Sequence, residues 1–140
     1  MSFREKSTWI TFVLLLVVFG FYFVSVAGQM IHPVHPHTNF FMLFFVLLLF
    51  IVVMAAVLHV IAAIRSPADA KTRADERERL IALKAKRPAF FVLLVAAFLA
   101  VGVAHLGVGV WPMLNAMLFA IWLGELTNYG TQLYFYRRET

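Results

Sequence analysis

Four long apolar runs dominate this chain, and its polar residues are confined to the short intervals between and beside them. The runs cover residues 7–27, 40–64, 88–106 and 111–136. A bilayer core about 30 Å thick takes roughly 20 helical residues to cross, so each run is read as one membrane span. Inside lipid a single segment can satisfy its own backbone only as a helix. The pattern therefore predicts an all-α, polytopic membrane protein. Two antiparallel helical hairpins should close into an antiparallel four-helix transmembrane bundle.

Local signals set the boundaries. The second run stops at Arg65, before Ser66-Pro67, because the residue preceding proline avoids the α region. The third begins after Arg87, with Pro88 at a first helical turn, where its missing N–H costs nothing. Gly107-Val108-Gly109 predicts a tight turn. Trp111-Pro112 then opens the fourth run, with Trp111 suited to the membrane interface. The first run has a short Arg4/Lys6 preface and ends Ser25-Val26-Ala27, which also resembles a secretory signal. Its apolar stretch is longer than a usual signal core, and it is read as a retained span.

Composition agrees: hydrophobic residues make up 63% and charged residues only 14% of 140, outside the range of ordinary globular chains. The Lys and Arg residues fall in three places: Arg4 and Lys6, the interval from Arg65 to Arg87, and Arg137 with Arg138. Cationic loops stay on the cytoplasmic side, so both termini and the central interval are expected there. The two outer loops carry no Lys or Arg, unlike small dual-topology multidrug transporters, which need a weak charge bias. The net charge of +5 flanks the spans, where it orients the protein and attracts anionic lipid; nucleic acid is not an expected partner. Absence of cysteine excludes disulfides, thiolate metal sites and a four-span thiol oxidoreductase.

The central interval is rich in helix formers from Asp69 onward. Asp75 and Arg79 form an i,i+4 pair with the acid first, the more stabilising order. Leu80, Ile81 and Leu83 add a short apolar patch. A cytoplasmic or interfacial helix between spans two and three is expected. Asp75, Glu76, Arg77, Arg79, Lys84, Lys86 and Arg87 would contact either anionic lipid or a soluble cytoplasmic partner.

Glu125 is the one carboxylate deep in a run. Twelve residues separate it from Arg137, about 18 Å along a helix, which places it near the bilayer midplane. A carboxylate there normally faces the bundle interior or a water-filled cavity. Glu125, Asn128, Tyr129, Gln132 and Tyr136 recur at helical spacing and form one polar stripe. Gly124, Thr127 and Thr131 beside it would let another helix approach closely. The stripe reads either as interhelical hydrogen-bond glue or as a site for a proton, a cation or a cationic substrate. His59 lies six residues, about 9 Å, from Arg65, a level matching Asn128 and Tyr129, its expected hydrogen-bond partners. His105 falls at the opposite leaflet, so no haem pair forms and no cofactor is expected. His32, His35 and His37, with His105, are candidate metal ligands by residue type, but no outer Asp, Glu or Cys completes a hydrolytic zinc site.

Two stretches, Asp75-Glu76-Arg77-Glu78-Arg79-Leu80-Ile81 and the segment from Glu125 to Arg138, resemble motifs in a group of small four-span bacterial inner-membrane proteins of unknown function. The resemblance covers the C-terminal half. It implies a bacterial cytoplasmic membrane and brings no catalytic residue. The reading is a non-enzymatic regulatory or interaction component, alone or as a homo-oligomer. The alternative is a small transporter or proton-linked sensor using Glu125 with His59.

Overall fold

In the computed structural model, residues 3–31, 39–65, 67, 75–107 and 109–138 are described. All regular structure among them is helical. Helix α1 runs Phe3–Ile31, α2 Phe40–Arg65, α3 Glu76–His105 and α4 Val110–Arg138. Each is long and apolar enough to cross a membrane, so the chain has the makings of a multi-pass membrane protein. Most large apolar side chains are exposed within the chain itself, Val24 at 72% and Phe98 at 70% among them. A water-soluble protein could not leave that much apolar surface uncovered; a bilayer covers it at no cost.

The chain divides into two compact units, Met1–Lys71 and Thr72–Thr140. The first unit holds α1 and α2 as an antiparallel hairpin. Ser7 meets His59 toward one end, and Tyr22 meets Phe44 farther along. No residue of α2 is buried, and α1 buries Thr8, Val18, Tyr22 and Val26. Residues Leu15–Phe19 of α1 wind as a π-helix between two α-helical segments. Nothing in Leu15-Leu16-Val17-Val18-Phe19 signalled this, because a uniformly apolar run has no periodicity to betray its winding.

The second unit holds α3 and α4, also antiparallel. The turn after α3 uses Gly107 at φ 69° and Gly109 at φ 90°, left-handed values that a residue with a Cβ rarely adopts. The expected glycine turn is therefore present; Val108 lies outside the described residues. Along the hairpin, Gly124 faces Leu93 and Ala89, and Phe135 lies under the Lys84 ammonium, 5.7 Å from the ring centroid. Ile81, Ala85, Ala89 and Ala100 on α3 are buried, as are Asn115, Ala120, Gly124, Leu133 and Tyr136 on α4. Ile81, Ala85 and Ala89 are four residues apart, which keeps them on one face of α3.

Two boundaries differ from the sequence reading. Glu76–His105 is a single helix with Pro88 in its interior, so Pro88 does not start a new one. Proline removes one backbone hydrogen bond and crowds the carbonyl four residues earlier, here that of Lys84. Lys84, Lys86 and Arg87 around it are exposed within the chain. Asp75 also acts differently from expectation. It takes an extended backbone (φ −64°, ψ 152°), and its carboxylate accepts the Glu76 N–H at 2.7 Å. It serves as the N-cap of α3 rather than as the acid of an i,i+4 pair with Arg79. Glu76 and Glu78 follow in the first turn, where negative charge favours the positive helix end.

Candidate functional site

The polar stripe of α4 can be placed from the register of the second hairpin. The Leu93–Gly124 and Lys84–Phe135 contacts put Arg87 level with residues 130–132. Glu125 therefore lies five to seven residues beyond Arg87 on the apolar side, about 8 to 10 Å along the helix. The last two turns of α4 pack beside the charged start of α3. Lengths agree: Pro88 to His105 spans about 27 Å and all of α3 about 45 Å, against a core of about 30 Å. The excess is the Glu76–Arg87 segment, whose charges cannot sit in hydrocarbon.

At that level Lys86, Ala89, Phe90 and Leu93 of α3 and Ile121, Gly124, Glu125 and Asn128 of α4 line a shallow groove of about 250 Å³. It exists because Gly124 has no side chain. A Cβ built there would come within 3.1 Å of the Leu93 Cβ, so the close approach expected of small residues is real and α3 is the helix that approaches. Glu125 is exposed within the chain, while Asn128, Tyr129 and Gln132 are half-buried and Tyr136 is buried. The stripe thus runs from the helix seam at its cationic end to the open groove at Glu125. Within it, the Gln132 amide donates to the Asn128 side-chain oxygen at 3.1 Å, and the Thr127 hydroxyl donates back to the Leu123 carbonyl. A groove holding one carboxylate, one amide and a lysine at its rim can take a polar or charged headgroup.

His59 belongs to the other unit. Its Nδ1 lies 2.6 Å from the Ala55 carbonyl and its Nε2 lies 2.7 Å from Ser7 Oγ. A carbonyl only accepts, so Nδ1 carries the proton in this bond. In the neutral ring the Ser7 hydroxyl then donates to Nε2. Both ring nitrogens are engaged inside the first hairpin; the expected partners Asn128 and Tyr129 belong to the second unit. Ser7 had been passed over. It follows Lys6 directly, and a small hydroxyl just inside the cationic end of one helix is the natural match for a histidine just inside Arg65 on the next.

The remaining candidates are quickly placed. Glu76, Arg77, Arg79, Lys84, Lys86 and Arg87 all lie on α3; Ile81 and Ala85 between them are fully buried, whereas Leu80 and Leu83 are 53% and 61% exposed. Arg138 donates to the Tyr134 hydroxyl at 2.9 Å. His105 is exposed, with Nδ1 3.0 Å from the Val101 carbonyl. His32, His35 and His37 lie outside the described residues. Among the described residues no group of three or more His, Cys, Asp or Glu could hold a metal ion. Asn115 is a polar residue the sequence reading missed. It is 5% exposed, and its amide donates to the Trp111 carbonyl at 3.0 Å. No family model, curated protein or solved structure matches this chain.

Proposed function

We propose that this chain is a non-enzymatic interaction component of a bacterial cytoplasmic membrane. In this reading the two hairpins pair as a four-helix bundle, and the charged end of the second one meets a soluble partner in the cytoplasm. The observation that carries it is the continuity of α3. Its first three turns continue the span and bury Ile81 and Ala85 beside the end of α4. A helix fixed in that way stands away from the bilayer instead of lying on it as an interfacial anchor would. It shows Leu80 and Leu83 among Arg77, Arg79 and Lys84, a mixed apolar and cationic face suited to an acidic amphipathic surface. The positive-inside rule places that face, and both chain ends, in the cytoplasm.

Photo-crosslinking in cells tests this. A photoreactive residue at Leu83 should give one discrete protein adduct that vanishes when Arg77 and Arg79 are both replaced by Glu. The same residue at Phe98, on the lipid-facing surface, should give none. Lipid adducts alone at Leu83 would overturn the docking reading in favour of a membrane anchor.

A second reading is favoured by the groove itself: Glu125 binds a proton or cation in a transport or sensing cycle. Lys86 and Asn128 line the same groove as Glu125, which supports a version of this reading built on the second hairpin, beside the one that uses Glu125 with His59. Glu125→Gln separates the two. A structural or docking role predicts near-normal assembly and crosslinking, whereas a sensing role predicts loss of the response with the fold intact, followed by the Leu83 adduct and by thermal unfolding.

A further inference from the structure

A different groove, at the cationic end of the first hairpin, is lined by Lys6, Trp9 and Ile10 of α1 and Leu58, Ile61, Ala62 and Arg65 of α2, with a volume of about 410 Å³. Its composition is sharply divided. Two cations, one from each helix, occupy the end nearest the chain's charged margin, and the rest of the lining is apolar except for the indole of Trp9. That ring is braced edge-on against Phe12, with centroids 6.2 Å apart. Glu5, the adjacent acid, does not line the groove. Immediately past it, the Ser7–His59 bond ties the two helices together, so the two cations are carried on helices held at a fixed separation.

We propose that this groove is a binding site for one anionic diacyl phospholipid. The phosphate lies between Lys6 and Arg65, an acyl chain runs over Ile10, Leu58 and Ile61, and Trp9 sits at the glycerol level. Three features select this occupant. Paired cations match a phosphodiester, and the arginine can hold it through two parallel N–H bonds. The apolar floor matches a hydrocarbon chain and not a free ion. An indole, apolar in its body and polar at its N–H edge, belongs at the headgroup boundary. A zwitterionic lipid fits less well, because no carboxylate lines the groove to take its ammonium. The site is independent of the docking face on the second hairpin, and either can fail without the other.

The test uses the full-length protein in detergent micelles supplemented with phosphatidylglycerol, phosphatidylethanolamine or glycerol phosphate, followed by native mass spectrometry. Phosphatidylglycerol should be retained preferentially as a single adduct. Lys6→Gln and Arg65→Gln should each weaken retention roughly fivefold, as expected for removing one cation from an anionic lipid contact. Arg137→Gln should leave it unchanged. A second variant, Ile61→Trp, keeps both charges and fills the floor; it should also reduce retention of the diacyl lipid. Equal retention of phosphatidylethanolamine, or no loss in the Lys6 and Arg65 variants, overturns the proposal. So does binding of glycerol phosphate as tight as that of the diacyl lipid, which would make this a phosphate site without a lipid. Retention unaffected by Ile61→Trp likewise removes the acyl groove.

Discussion

The two hairpins solve the same problem with different chemistry. In the second, helices approach over a seam of small residues, with Gly124 against Leu93 and Ala89 and buried alanines at 85, 89, 100 and 120. In the first there is no such seam. Its α2 buries nothing, and the contacts are local clasps: Phe19 and Tyr22 on Phe44 with centroids 6.2 and 5.8 Å apart, and the Ser7–His59 bond. Lipid tails are as apolar as leucine, so no hydrophobic effect pulls helices together inside a membrane. What remains is close packing, hydrogen bonding and ring geometry. One hairpin relies on the first and the other on the latter two. A seam spreads its stabilisation along the helices, whereas clasps concentrate it in a few residues.

The largest break in this contrast should come from Gly124→Leu. The added side chain meets the Leu93 Cβ, an atom near the backbone that cannot swing aside, and overpacking of this kind costs roughly 1–3 kcal/mol. A lowered unfolding midpoint is expected, with single-cysteine pairs across α3 and α4 crosslinking less readily. The chain's lack of cysteine makes such pairs easy to introduce. Pairs across α1 and α2 should respond far less; an equal response would show that the hairpins do not hold themselves independently.

Phe44→Leu should act in the opposite place, with a cost of similar size. It keeps apolar bulk but removes the ring contacts to Phe19, Tyr22 and Phe45, each aromatic pair contributing about 0.5–1.5 kcal/mol. Crosslinking across α1 and α2 reports it. If Phe44→Leu is silent while Phe44→Ala is not, apolar bulk and not ring geometry makes the clasp.

The smallest effect belongs to the polar clasp. A double-mutant cycle on Ser7→Ala and His59→Leu should give a coupling of about 0.6 kcal/mol, the average for hydrogen bonds between membrane helices. A coupling of zero would mean that Ser7 and His59 do not meet in the folded protein.

Comparing residues shows which parts of this could be read without coordinates. The apolar runs and the glycine turn at 107–109 were plain, because each depends on length or backbone conformation alone; the expected stop before Ser66-Pro67 was not, since Pro67 is itself helical. Pro88 misled for a physical reason: proline is common at helix starts, and only packing decides whether the preceding charged segment stays helical. Here Ile81 and Ala85 find α4 to pack on, so α3 continues through the proline. Glu125 stood out as a carboxylate within an apolar run, whereas the residues opposite it, Leu93 and Lys86 among them, depend on the register of α3 and α4 and could not be read from spacing. The small residue at Gly124 was noticed as permissive, while Lys86, assigned to a surface contact, turned out also to rim the Glu125 groove.

Hydropathy by itself determined that this chain has four helices fit to cross a bilayer, because desolvating a backbone leaves helix as the only form a single segment can take. The charge pattern adds only an expectation of which ends share a side of the membrane. Register and side-chain partners within each hairpin were decided only by the tertiary structure. A uniformly apolar helix has no preferred face, so the choice between Ser7 and Asn128 for His59, or the level of Glu125 against Arg87, rests on side chains meeting across helices far apart in sequence.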